Sequence, residues 1–326
     1  MSETGLTVLD GTHLRSLNPS LPELDGAVTG SQLLEIADSK ASTSLFGLSL
    51  PQKLKASALS RVIADDDVTF RKAELDRDKA SKFLSDYISA IADVMKDDPL
   101  VVTILDGNTL KMFLEDEDDY AMLAENLFTD MDIQDKGKIC KSEIRNALVH
   151  MGFEMGIPPF SEFPLLNDIL KKHGAEGEDE LGQAQFAELL QPILQETADA
   201  LSEKHVVVIH NVKVVNGSKL RKVLADEMQF NNVTERVLLE TKREKDGLHK
   251  KKLIRSFLEK HGKDFGLPPS ESNEAVLLLY DAVFSKIENE KSAAQTDNEF
   301  RELMKDILEK FAEQLEASPI FYDIGN

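Results

Sequence analysis

Apolar positions along the chain switch between two periods. Short runs rich in β-branched residues read as strands: Val101-Val-Thr-Ile-Leu105, then Val206-Val-Val-Ile209 and Val212-Lys-Val-Val215. The first and last of these runs are followed by Asp-Gly and Asn-Gly, which signal turns. Spacings of three, four and seven come next. Leu110, Phe113, Leu114, Leu123, Leu127 and Phe128 predict one helix from Thr109 to Met131. A second is predicted over Lys141 to Met151, stopped by Gly152 and by Pro158-Pro159. A third covers Pro164 to Lys172 and a fourth Ala184 to Ser202. The expected class is all-α, helix-loop-helix twice over in each module, with short strands between loops.

The pattern repeats with a fixed step. Leu105-Asp-Gly-Asn-Thr-Leu110 recurs 110 residues later as Val215-Asn-Gly-Ser-Lys-Leu220. Gly137 recurs as Gly247, Ile144-Arg145 as Ile254-Arg255, and Gly156-Ile-Pro-Pro159 as Gly266-Leu-Pro-Pro269, at the same 110-residue step. A few extra residues follow the second proline pair. The match then resumes at Ala198-Asp-Ala-Leu201 against Ala312-Glu-Gln-Leu315. An ungapped match of this length points to duplication. A weaker copy opens the chain. Val8-Leu-Asp-Gly-Thr-His-Leu14 echoes the same turn, and Phe46-Gly-Leu-Ser-Leu-Pro51 echoes Phe265-Gly-Leu-Pro-Pro269. Pro19 and Pro22 leave no room for a full helix between its pieces. Three modules are expected, over residues 1–98, 99–205 and 206–326.

The stretch from Phe128 to Ile144 fits the twelve-residue frame of an EF-hand loop. With Asp132 at position 1, Gly137 falls at the turn position 6, Ile139 at 8 and Glu143 at 12. The partner loop runs from Gly174 to Gln185 and puts Leu181 at position 8, where it would pair with Ile139 through a short strand. It has Glu176 and Glu178 at positions 3 and 5, but lacks both end carboxylates. In the third module the frame Lys242 to Leu253 holds Glu244 and Asp246 and also lacks both ends. The last frame is a weaker candidate site, with Glu288, Glu290, Ser292 and Glu299 at positions 1, 3, 5 and 12. In the first module Asp25-Gly26-Ala27-Val28 reads as half a loop, with Val28 at 8 and Gln32 at 12. Its partner loop should end near Lys79, and Asp65 to Asp67 read as a solvated turn.

Ile104-Leu-Asp-Gly-Asn-Thr-Leu110 followed by Phe128 to Glu143 resembles a plant family of calcium-binding EF-hand proteins in the calmodulin-like superfamily. The resemblance covers the middle module well, the third fairly and the first poorly. It implies tandem paired EF-hands in a soluble intracellular protein that binds calcium. The ligand roles it implies fall on Asp132, Gln134 and Glu143, with Lys138 offering a backbone carbonyl. Lys136 departs from the pattern, since it brings a cation to position 5, where an oxygen ligand belongs.

Composition narrows the partners. The 326 residues carry 59 acids against 38 bases, a formal charge of −21, which repels nucleic-acid phosphates and anionic lipid. Neither nucleic acid nor membrane is therefore an expected partner, and a target protein is. With Cys140 as the single cysteine, no internal disulfide is available and a reducing, cytoplasmic setting is expected. The first ten residues show no secretory leader, and Ser2 no myristoylation signal. Lys242-Arg243, Lys250-Lys-Lys252, Arg255 and Lys260 to Lys263 form a basic run, read as a docking patch, a nuclear address or a solvated helix face. Met112, Met122, Met131, Met151 and Met155 would line an adaptable groove or fill a core. His205 and His210 flank one strand-like run, and no G-x-S-x-G, P-loop or HExxH pattern occurs, so no enzyme is expected. Two readings remain: a calcium sensor, and an ion-independent interaction scaffold.

Overall fold

Three helices of equal length recur along the chain. A computed structural model describes residues 6–22, 27–63, 66–243, 250–287 and 296–324. Among these residues the fold is mainly helical, at 64% helix, with a few short strands. In the first repeat β1 (Leu6–Leu9) is followed by α1 (Thr12–Arg15), β2 (Val28–Thr29), α2 (Gly30–Ser44), α3 (Gln52–Leu59), α4 (Asp67–Lys72), β3 (Glu74–Leu75) and α5 (Arg77–Asp97). The second contains β4 (Leu100–Leu105), α6 (Asn108–Glu115), α7 (Glu117–Met131), β5 (Ile139–Cys140), α8 (Glu143–Met151), α9 (Leu165–Lys172), β6 (Glu180–Leu181) and α10 (Gln183–Glu203). After β7 (Val206–Ile209) come β8 (Val212–Val215), α11 (Ser218–Ala225), α12 (Glu227–Arg243), α13 (Lys250–His261), α14 (Glu274–Ser285), α15 (Asp297–Ala317) and β9 (Ile320–Asp323).

The long helices α5, α10 and α15 each have 21 residues. Ala92, Ala198 and Ala312 hold the same place in them, and each meets the glycine of an opening turn. A Cβ added at Gly11, Gly107 or Gly217 would lie 2.5, 2.2 or 2.8 Å from the carbonyl oxygen of Ala92, Ala198 or Ala312. All three glycines also have φ near +80°, at 83°, 83° and 78°. Only a residue without a Cβ satisfies both demands, which accounts for the repeated Asp-Gly and Asn-Gly pairs. A second repeated device follows α8 and α13. Ile157 N–H donates to the Gly152 carbonyl at 2.9 Å, and Leu267 N–H to that of Gly262 at 2.9 Å.

The chain forms two compact units. One comprises the described residues through Leu9, His13–Ala90 and Val102–His210; the other comprises Asp10–Thr12, Ile91–Val101 and the chain from Asn211. The first unit holds the sheet β1-β4-β7, in which Val102 to Leu105 run antiparallel to Ile209 to Val206, and the two-stranded pairs β2-β3 and β5-β6. One of its cores is built between Leu105 and Val206, where Phe128 meets Phe186 edge-on at 5.8 Å. In the second unit β8 pairs with β9, and a core built between Leu220 and Ile320 centres on Tyr280, Phe284 and Phe311. No helix among the described residues is long and apolar enough to cross a membrane.

Three expectations need correction. The single helix expected over Thr109 to Met131 is two helices, broken at Asp116, whose backbone is extended and whose carboxylate accepts the N–H groups of Asp118 and Asp119. The cap gives partners to amide donors that the break leaves without an intrahelical acceptor. The same break recurs at Asp226, which accepts from Met228 and Gln229. The turn expected over Asp65 to Asp67 is instead a helix start, because Asp66 caps α4 through Thr69 N–H; Asp65 lies outside the described residues. The ends of the frame Lys242 to Leu253 are helical, within α12 and α13, while Glu244 and Asp246 lie outside the described residues.

Candidate functional site

The loops 132–143 and 174–185 meet side by side. Helix α7 ends at Met131, and the next residue, Asp132, organises the turn that follows. Its Oδ1 accepts the Lys136 N–H at 3.0 Å and its Oδ2 the Gly137 N–H at 2.6 Å. Gly137 holds φ at 69° in open space, and the chain then enters β5. Ile139 stands opposite Leu181, and Cys140 opposite Glu180, in the register that the position-8 alignment predicts. Both apolar residues of the pair are buried. Lys141 N–H donates to the Asp179 carbonyl at 2.9 Å and Ser142 N–H to that of Gly177 at 3.3 Å, extending the join. Two exposed ion pairs flank it, Lys138 with Glu180 at 3.5 Å and Lys141 with Asp179 at 2.9 Å. Such pairs add under about 1 kcal/mol each, so burial of Ile139 and Leu181 dominates the join.

The candidate ligands are placed as follows. Asp132 faces its own loop amides. Gln134 and Lys136 are exposed, and the Lys138 ammonium is directed to Glu180. Glu143 begins α8, and its Oε2 accepts from Asn146 Nδ2 at 2.8 Å. Among the described residues no three His, Cys, Asp or Glu side chains are grouped as a metal site requires. Calcium takes about six to eight oxygen ligands. At its ligand positions this loop offers two carboxylates, one amide oxygen and a carbonyl, but the Lys136 ammonium stands at the fifth position, where the ion needs an oxygen, and the frame does not fit it there.

The other loops offer less. Gln185 closes a cap, with Oε1 accepting Gly182 N–H at 3.0 Å. Of the weaker candidate set, Glu288, Glu290 and Ser292 lie outside the described residues. Glu299 accepts the Thr296 N–H at 3.0 Å in a capping box at the start of α15. In the first repeat Asp25 and Gly26 lie outside the described residues, while Val28 pairs with Leu75 much as Ile139 does with Leu181.

No family model, curated protein or solved structure matches this chain. Its second and third repeats therefore serve as each other's comparison. Where the second has Ala121 and Phe128, the third has Asn231 and Leu238, and there a cavity of about 320 Å3 opens between α12 and α15. Thr234, Leu239, Asp297 and Arg301 also line it, and Asn231 Oδ1 is buried without a hydrogen-bond partner among the described residues. The sequence reading missed this cavity; the 110-residue alignment carried its signal, in the loss of an aromatic ring.

The remaining candidates separate clearly. Met151 is buried, Met131 and Met155 pack on the core, and Met112 and Met122 are 70% and 60% exposed. Two members of the basic run are neutralised by acids. Arg255 pairs with Glu259 and Asp281, which raise its pKa, and Lys260 pairs with Glu240. His205 is exposed. His210 packs its ring on Phe153 and lies 2.8 Å from Thr103 Oγ1, and burial lowers its pKa.

Proposed function

We propose that the protein is a calcium-independent interaction scaffold whose repeats descend from paired EF-hands. In this reading the loops act as braces, and the outer helix faces receive a target protein. It performs no catalysis and engages neither nucleic acid nor membrane, and its setting is cytoplasmic. The observation that supports it most is the join between loops 132–143 and 174–185. Asp132 spends both carboxylate oxygens on the loop's own amides, and Ile139 and Leu181 close the pair by burial. In this reading those hydrogen bonds and that apolar contact hold the turn. Exposed Met112 and Met122, and the cavity beside Leu239, supply apolar surface of the kind partners use.

The calcium-sensor reading makes the opposite forecast and is favoured by Asp132 and Glu143 at the two ends of the frame. Calorimetric titration of calcium into the whole chain decides between them. The scaffold reading expects no heat below about one millimolar calcium and the same melting temperature in calcium and in chelator. Saturable heat at micromolar calcium that disappears in Glu143→Gln would sink it.

A further inference from the structure

A second cavity, of about 160 Å3, lies in the unit that contains β8 and β9. It has room for on the order of ten waters. Lys213 and Tyr322 sit opposite one another across the strand pair, and both line it. Asp97 and Asp98 line it from the end of α5, Lys219 from α11, and Lys263 from the turn after α13. The Lys219 stem lies against Gly266, where an added Cβ would come within 2.4 Å of Lys219 Cβ.

The two acids are already committed. The Asp97 carboxylate is only 8% exposed, pairs with Lys222, and accepts the Ser218 hydroxyl at 3.0 Å. Asp98 is paired with Lys213. Among the described residues, Lys219 and Lys263 make no ion pair and no side-chain hydrogen bond, and the Tyr322 hydroxyl has no partner. Burial, and then the Asp98 charge, raise the Tyr322 pKa, so the phenol remains a donor at neutral pH. Two exposed lysines and one hydroxyl thus line one cavity without an acidic partner among the described residues, and both acids of the lining are paired elsewhere.

We propose that this cavity binds a small phosphate-class anion, free phosphate or a phosphomonoester, through Lys219, Lys263 and Tyr322. Charge-assisted hydrogen bonds from two lysines suit a doubly charged tetrahedral oxyanion better than a singly charged one. The −21 charge of the chain does not forbid it, because charges beyond about 8–10 Å are screened at physiological salt. The site goes beyond the scaffold reading and does not depend on it.

Equilibrium dialysis of the whole chain against radiolabelled inorganic phosphate, at constant ionic strength in chloride, tests the assignment. Saturable one-site uptake is expected, weakened at least about tenfold in Lys219→Gln/Lys263→Gln and about three-fold in Tyr322→Phe, with Lys53→Gln unchanged. Should the double variant fail to fold, Tyr322→Phe alone still decides, since a full-strength site in that variant contradicts the assignment. Competition with glycerol 3-phosphate separates the two sources: stronger displacement than by unlabelled phosphate assigns a phosphomonoester, weaker displacement assigns the free ion. Absence of saturable uptake, wild-type uptake by a folded double variant, or equal displacement by acetate would overturn it.

Discussion

Gly107 and Gly137 share a positive φ, at 83° and 69°, but for different structural reasons. A side chain on Gly107 would strike the carbonyl of Ala198, whereas Gly137 has nothing within 4 Å. Gly137→Ala is expected to cost only the left-handed penalty, about 1–2 kcal/mol. Gly107→Ala adds a backbone collision that helices α6 and α10 cannot relieve separately, for a loss of roughly 3–5 kcal/mol. Urea unfolding of the two variants measures the difference, and equal losses would refute the close-approach account. The turn at Gly107 was legible in the sequence, because Asp106-Gly107 recurs 110 residues later as Asn216-Gly217. Its cause was not, because Ala198 lies some ninety residues further on.

At the scale of elements, what the alignment foretold and what it missed have one explanation. The periods of Leu110, Phe113, Leu123 and Leu127 run through Asp116 without interruption, so periodicity sees one helix. The side chain of Asp116 ends it by capping the amides of Asp118 and Asp119. Asp116→Ala is expected to lower stability by about 1 kcal/mol, and a buffer-exposed Asp119→Ala to change it by less than about 0.5 kcal/mol. Comparable losses in chemical denaturation would show that the break is imposed by packing and not by the cap. The strand pairing Ile139↔Leu181 was readable beforehand, since two loops in one frame bring their eighth residues together. The start of α4 was not, because Asp66 alone carries the cap among several neighbouring acids.

For the whole molecule, the second repeat has a core of its own. One core runs from Leu105 to Val206, and its flanking strands β4 and β7 pair with each other, while the other edge of β4 pairs with β1 of the first repeat. Residues 99–210 expressed alone are therefore expected to unfold in one cooperative urea transition, with a slope of about 1–2 kcal/mol/M. A non-cooperative melt with no near-ultraviolet dichroism would contradict that. The sequence by itself determined the helical class, the 110-residue step, the opening turns and the loop register, because each is written in local periods and in residues with special backbone needs. Tertiary structure decided which charges remain free. The basic run looked uniform, yet Arg255 and Lys260 are spent on acids while Lys263 faces a cavity whose lining spans Asp97 to Tyr322. It also separated buried Met151 from exposed Met112. Pairing and burial depend on segments far apart in the chain, and no local pattern encodes which of them will meet.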